Sequence, residues 1–464
     1  MLPVVHIYID RSEAETWNHD EIDNLQGKIN TGEYSMSKVI IIGGGAAGMM
    51  AGVFAARNHH EVHILEKNEK LGKKVFITGK GRCNVTNACD TEELFPAMMS
   101  NPKFLYSSFY SFTPQDVMEF FEKAGVPLKV ERGNRVFPQS DHSSDIIRAL
   151  ERELKKAGAK IHLHTAVQEI VKKPITESVT DSVNTLESEA ALTESGSDAG
   201  KNRKGKKSSD IQQEKITGVI LTDGTFIEGD AVIVATGGFS YQSTGSTGDG
   251  YRFARELGLK VTDIAPSLVP LKTKEDYIPK LQGLSLKNTG LTIKNGKKVL
   301  YEDFGEMMFT HFGVTGPMIL SASAHIGAKL AKAPNGELSA YLDLKPALTK
   351  EQLDARILRE FEAGPNKQFK NVIGVLFPSS LTPVMIELGG IPAEKKIHDI
   401  SREERQHFID LIKAFPFTIT GMGEFKEAII TRGGVSVKEI NPGTMESKKF
   451  QASTSQVKCW IWMQ

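Results

Sequence analysis

Val39-Ile40-Ile41-Ile42-Gly43-Gly44-Gly45-Ala46-Ala47-Gly48 is the stretch that decides the fold. Val39–Ile42 is a short β-branched run, the composition of a parallel strand buried on both faces. Gly43 permits the tight turn that leaves the strand. Gly45 lets backbone approach a pyrophosphate, and Gly48 lets the next helix pack close to the sheet. That helix, predicted over Ala46–Arg57, aims its first amides, those of Ala46 and Ala47 among them, at the phosphates. A second strand, Glu61–Leu65, runs into Glu66. Glu66 falls about twenty residues after the glycines, where a carboxylate binds ribose hydroxyls. Strand, turn, helix and acid in register predict a dinucleotide site.

Composition narrows the function classes. The chain has 464 residues, with 57 Lys+Arg against 57 Asp+Glu. The length suits two or three domains. The balanced charge gives no argument for nucleic acid or an anionic membrane as partner. Cys83, Cys89 and Cys459 show neither zinc-ligand spacing nor a disulfide framework, which fits a cytoplasmic protein and predicts no metal. No apolar run is long enough to span a bilayer. Residues 1–36 lack the basic-then-apolar order of a signal peptide. They read as a disordered or artefactual leader, with Met36 as the natural start.

The predicted organisation is an α/β Rossmann-like domain, three-layered, interrupted by an insertion. Residues 37–265 form its first part. Thr113-Pro114 opens a helix closed by Gly125, and Ser144 opens another closed by Gly158. A strand follows from Lys160 and continues through Thr165-Ala166-Val167. Residues 173–215 are Ser-, Thr-, Glu-, Lys- and Gly-rich without an aromatic residue, and read as a disordered insertion at a hairpin tip. Its basic run, residues 201–207, has acidic neighbours and reads as a solvated loop rather than a nucleic-acid patch. Asp230–Gly238 is a buried strand ending in small residues. Residues 266–345 alternate in short segments and predict a β-barrel-like domain. Residues 346–415 are largely helical, and 416–448 return to the barrel and the first domain.

Several phrases resemble one bacterial family: residues 72–87 (with Gly79-Lys80-Gly81-Arg82-Cys83-Asn84), Arg135-Val136-Phe137-Pro138, Ala235-Thr236-Gly237-Gly238, residues 244–250, Thr310-His311-Phe312-Gly313, and Gly433-Gly434-Val435 followed by Thr444-Met445-Glu446-Ser447-Lys448. The set resembles the BaiN-like NAD(P)/FAD-dependent oxidoreductases, the aminoacetone-oxidase-like flavoproteins. The resemblance implies FAD as resident cofactor, with Ala47, Glu66, Lys67, Val167 and Gly237 lining it. The residues agree. Gly79 and Gly81 permit close backbone approach, while Lys74 and Arg82 can offset pyrophosphate charge, Arg82 in bidentate fashion. Cys83, Asn84 and Thr236 complete the expected cofactor set. A single dinucleotide fingerprint predicts that NAD(P)H binds transiently as donor. The substrate is expected to be a small organic molecule, with an enone-like double bond as one option and oxygen as another electron acceptor. Two residues are candidates for catalysis. His311 could donate a proton, or be bonded to backbone at a turn. Cys83 could be redox-active, or a small residue packed beneath the flavin.

After Lys448 the family pattern fails. Read from the third base of each codon, residues 450–464 can back-translate to Pro-Gly-Leu-Tyr-Phe-Ser-Gly-Glu-Val-Leu-Asp-(Met/Leu)-Asp-Ala, in which the final Leu-Asp-(Met/Leu)-Asp-Ala is forced by the codons of Cys459–Gln464. That matches the family's expected closing phrase. Residues 449–464 are therefore expected to be frameshifted at or near Lys448-Lys449. The alternatives are a genuine divergent tail and, functionally, a remnant that binds FAD poorly. Resequencing across Ser447–Phe450 decides the point: an extra or missing base is expected, and a clean frame would sink the idea.

Overall fold

The computed structural model describes residues 36–174 and 214–451. The leader through residue 35, residues 175–213 of the insertion and the tail from 452, including Cys459, lie outside the described residues.

The opening stretch builds the centre of the first domain. Strands Ala231–Val234, Lys38–Ile42, Glu61–Leu65 and Lys160–His162 lie in that order in one parallel sheet. Ile40 and Ile41 are fully buried because the sheet is covered on both faces. On one face pack helices Ala46–Arg57 and Ser143–Lys156. On the other lies an antiparallel sheet of Val167–Pro174, Glu214–Leu221 and Phe226–Glu228, with helix Asp249–Glu256. The result is three layers. Phe450–Gln451 joins the antiparallel sheet beside Glu214 and Lys215, and Phe450 is buried in that core.

The second body is a closed six-stranded barrel, in the order Leu271–Thr273, Gly313–Thr315, Lys298–Thr310, Ser285–Asn295, Leu338–Asp343, Phe415–Met422. Helices Lys350–Glu362, Thr382–Gly389 and Arg402–Lys413 share its core. The chain enters and leaves this body side by side. Ala265–Ser267 pairs antiparallel with Ile430–Arg432, and a bridge joins Val261 to Val435.

Some boundaries differ from the sequence expectation. The strand from Lys160 does not continue through Thr165. His164 is left-handed at φ +54°, and Val167 starts the other sheet. Amides of His164 and Thr165 donate to the carbonyls of Asn68 and Glu66, which turns the chain between layers. The helix expected from Ser144 begins at Ser143 with His142 as its cap. Helix Pro114–Lys123 has the expected Thr113 cap, reinforced by Asp116 as a capping box.

His63 and His162 sit on adjacent strands with rings stacked 5.1 Å apart and Nδ1 of His63 3.0 Å from Nε2 of His162. Burial, with the charges of His63, Lys160 and Lys38, holds His162 below its ordinary 6.5. The unfolded chain therefore takes this proton first. The contribution of neutral His162 to stability is complete above pH 6.5 and falls as pH drops below that value. Urea midpoints are expected to fall between about pH 7.5 and 5.5, a window above ordinary carboxylate titration, and His162→Gln should flatten that fall. An unchanged slope in the variant would contradict this assignment.

Candidate cofactor site and its geometry

The glycine turn is held by contacts that leave no room for side chains. A Cβ on Gly48 would lie 1.9 Å from the Gly43 carbonyl oxygen. A Cβ on Gly43, whose φ is +108°, would lie 2.5 Å from the Ala235 carbonyl oxygen. Strand, helix and the returning Ala231–Val234 strand thus meet without spacing. Gly45 is different: a Cβ there would meet nothing within 4 Å. Gly45 is also the N-cap of the helix, with no capping side chain and no acid in the first turn. The first amides, at Ala46 and Ala47, follow directly on this open position, at the positive end of the helix dipole.

Glu66 stands at the end of its strand, 7% exposed. Its Oε2 accepts from the Gly44 amide at 2.7 Å, and its Oε1 accepts from the Asn68 amide and side chain at 2.8 and 2.6 Å. The carboxylate is thereby fixed beside the glycine turn. The adjoining Lys67 donates to Thr247 and Asp249, at 2.6 Å each. Asn68 also donates to the Thr244 carbonyl at 3.2 Å. The 244–250 phrase is thus docked onto the end of the second strand.

Lys74, half-buried on helix Lys73–Ile77, donates to Ser240 Oγ at 2.8 Å, and Ser240 donates to the Ile429 carbonyl at 3.2 Å. The 72–87 phrase, the loop after Gly238 and the segment leading into Ile430–Arg432 meet at this ammonium. No carboxylate of the described residues pairs with it, and burial pulls it below the usual lysine range. Gly237 is left-handed at φ +70°, where a Cβ would lie 2.8 Å from Ser246 Oγ. Thr236 precedes it, directly after the Ala231–Val234 strand and Ala235. Val167 begins its strand opposite Leu221, on the other face of the sheet.

The Gly79–Asn84 phrase is a tight turn with left-handed Gly79, Lys80, Gly81 and Cys83. The Cys83 amide donates to the Thr78 carbonyl, and its thiol is 1% exposed and pushed up by burial. Those are the surroundings of a packed residue rather than of a reactive thiolate. The Asn84 side chain reaches the carbonyls of Thr86 and Val136. Arg82 makes its bidentate contact with Glu131, and its Nε donates to Asp141 at 2.7 Å, with the guanidinium over the Phe137 ring. In this structure its fork is directed at carboxylates, so of the two expected cations Lys74 alone lacks one. His311 is exposed at the turn between two barrel strands, edge-on to Phe312.

Sequence reasoning missed Asn68, Ser240, Glu131 and Asp141. Asn68 had a signal, since an Asn two residues beyond an acid at a strand end favours local side-chain-to-backbone bonding. The other three are brought in only by long-range folding. Among the described residues, no group of His, Cys, Asp and Glu is arranged to hold a metal, and no helix is long and apolar enough to cross a membrane.

Two models of one family match the chain: the HI0933-like protein Rossmann domain over residues 37–205, and the HI0933-like protein barrel and H2TH domain over residues 265–430. The chain is similar to the 3-dehydro-bile acid delta(4,6)-reductase of Clostridium scindens, 28% identical over 415 residues, which span 89% of this chain and 90% of that one. It is also similar to the ribosomal RNA dihydrouridine synthases of Haemophilus influenzae, 28% identical over 418 residues and 89% of each chain, and of Escherichia coli, 25% identical over 431 residues, 91% of this chain and 92% of that one.

The geometry sets two expectations for cofactor binding. If the turn seats a flavin cofactor, replacing Glu66 by Gln or Lys74 by Met should each weaken its binding roughly tenfold, the scale of one charge-assisted contact. Gly48→Ala should abolish binding, because its Cβ cannot coexist with the Gly43 carbonyl. Flavin fluorescence quenching on titrating apoprotein measures all three, and wild-type affinity in Gly48→Ala would contradict the packing account.

Proposed function

Given that the chain belongs to the HI0933-like family, the BaiN-like flavoprotein oxidoreductases, we propose that it is an FAD-dependent reductase. It takes hydride from NAD(P)H and adds two hydrogens across a carbon–carbon double bond conjugated with a carbonyl. One observation carries the reading. Relatives aligned over about nine-tenths of the chain are named for different substrates but for one kind of reaction. A delta(4,6)-reductase of a 3-dehydro compound and a dihydrouridine synthase both saturate such a bond.

The residues present suit FAD. The open space at Gly45 and the uncapped helix start would seat the diphosphate. Glu66, prefixed by Gly44 and Asn68, would accept from ribose hydroxyls. Lys74 would offset the diphosphate charge. When bound, the flavin supplies reversible hydride chemistry. The chain supplies position, and a half-buried ammonium beside Ser240 that holds negative charge in place. The balanced net charge favours a small organic substrate over RNA, and a cytoplasmic location suits the unpaired cysteines.

The test is anaerobic. Flavin-loaded protein should lose its oxidised-flavin absorbance on adding NADH or NADPH, and regain it on adding a cyclic enone. Reoxidation by oxygen alone would overturn the proposal. Reoxidation only by a uridine-containing ribosomal RNA fragment would overturn the small-substrate part of it.

A second reading, an impaired remnant, has its own observation. Ala231–Val234 is a fully buried apolar strand at the end of the parallel sheet, and no strand of the described residues pairs with its outer edge. Unpaired backbone in such a place calls for a partner. A frame-restored Gly-Leu-Tyr-Phe run has the composition to fill it. The chain as given and its frame-restored form should then differ in bound FAD, the restored form being stoichiometric. Equal, full occupancy in both would defeat the remnant reading.

A further inference from the structure

A cleft of about 450 Å³ opens where the two crossing segments meet the barrel. Ala265, Pro266 and Arg432 come from the crossing pair, Gly327 and Ala331 from the end of helix Pro317–Leu330, and Met422 and Phe425 from the last barrel strand and the turn after it. The volume is that of a small-molecule site, and junctions between domains are where such sites form. The walls are apolar. Arg432 has no ion-pair partner among the described residues, while the one carboxylate of the lining, Glu424, pairs with Lys426 at 3.4 Å.

Gly327, in the same lining, adds a packing detail. A glycine in a helix costs about 1 kcal/mol relative to alanine, so its presence calls for a reason. A Cβ there would lie 3.0 Å from Met422 Sδ and 3.7 Å from Arg432 Nη1. The missing side chain leaves room for the Met422 thioether against the helix, and places the Arg432 guanidinium within contact distance of this end of the cleft. The cleft also borders the loop that follows Gly237 and Gly238. Phe425 packs edge-on against Phe239 at 5.1 Å, and the Phe239 amide donates to Thr431, the neighbour of Arg432.

We propose that this cleft binds the end of the substrate remote from the reacting bond, and that the class it takes is a compact apolar ring body bearing a single anionic group, which Arg432 holds. A guanidinium suits this role because its planar fork pairs bidentately with a carboxylate, and Arg432, though exposed, stands at the rim of the apolar walls. The inference rests on the reductase reading, since it takes the cleft as part of that active site.

The test uses equilibrium binding, so it stands apart from turnover. Flavin-loaded protein is titrated calorimetrically with 2-naphthoate and with its neutral isostere 2-naphthamide. The wild type should prefer the anion. Arg432→Gln should weaken 2-naphthoate roughly tenfold, the loss of one charge-assisted contact, and leave 2-naphthamide unchanged. Gly327→Leu should abolish binding of both. Bound-flavin absorbance and the thermal midpoint confirm that each variant is folded. Equal affinity for the two ligands in wild type, or unaltered 2-naphthoate binding in Arg432→Gln, would overturn the proposal. Enone reduction failing while the anion preference persists would instead strike the reductase reading alone.

Discussion

Everything in the first domain depends on one close approach, that of Gly48 to the carbonyl of Gly43. It brings helix Ala46–Arg57 down onto the parallel sheet with no side chain between them. The helix start is then left without a side-chain cap, beside the open position at Gly45. The same turn fixes Ala235 from the other side, so the strand that follows the antiparallel sheet must deliver Thr236 and Gly237 beside it. A methyl group at either glycine would separate these three segments, and with them the first half of the site.

Electrostatics then distinguishes two cations that look alike in the sequence. Arg82 and Lys74 both lie near glycines and both suit a diphosphate. Folding gives Arg82 two carboxylates and an aromatic ring, and leaves Lys74 with a hydroxyl. A half-buried ammonium with only a neutral partner favours an anion beside it. An arginine already held by Glu131 and Asp141 stabilises the turn that carries it.

Much of this was legible in the sequence because its causes are local. The β-branched run, the glycine spacing and the acid at the next strand end are one contiguous βαβ signal. The barrel showed as alternation, and the helices as caps such as Thr113-Pro114. What was not legible is long-range. Nothing near Arg82 announces that Glu131 and Asp141 will reach it. The switch at His164 from one sheet to another depends on the carbonyls of Asn68 and Glu66, nearly a hundred positions earlier. The cleft at Arg432 needs Gly327 from a barrel helix and Ala265 from the crossing segment, which only the paired entry and exit bring together.

The central claim is that the glycine turn with Glu66 grips the adenosine half of a flavin dinucleotide. The most direct measurement compares FAD with FMN on the same apoprotein, since the two share the reacting ring and differ in that half. FAD should bind at least roughly a hundredfold more tightly, the scale of two charge-assisted contacts, and Glu66→Gln should narrow the gap by weakening FAD alone. Equal affinity for FAD and FMN, or a preference unmoved by Glu66→Gln, would contradict the account.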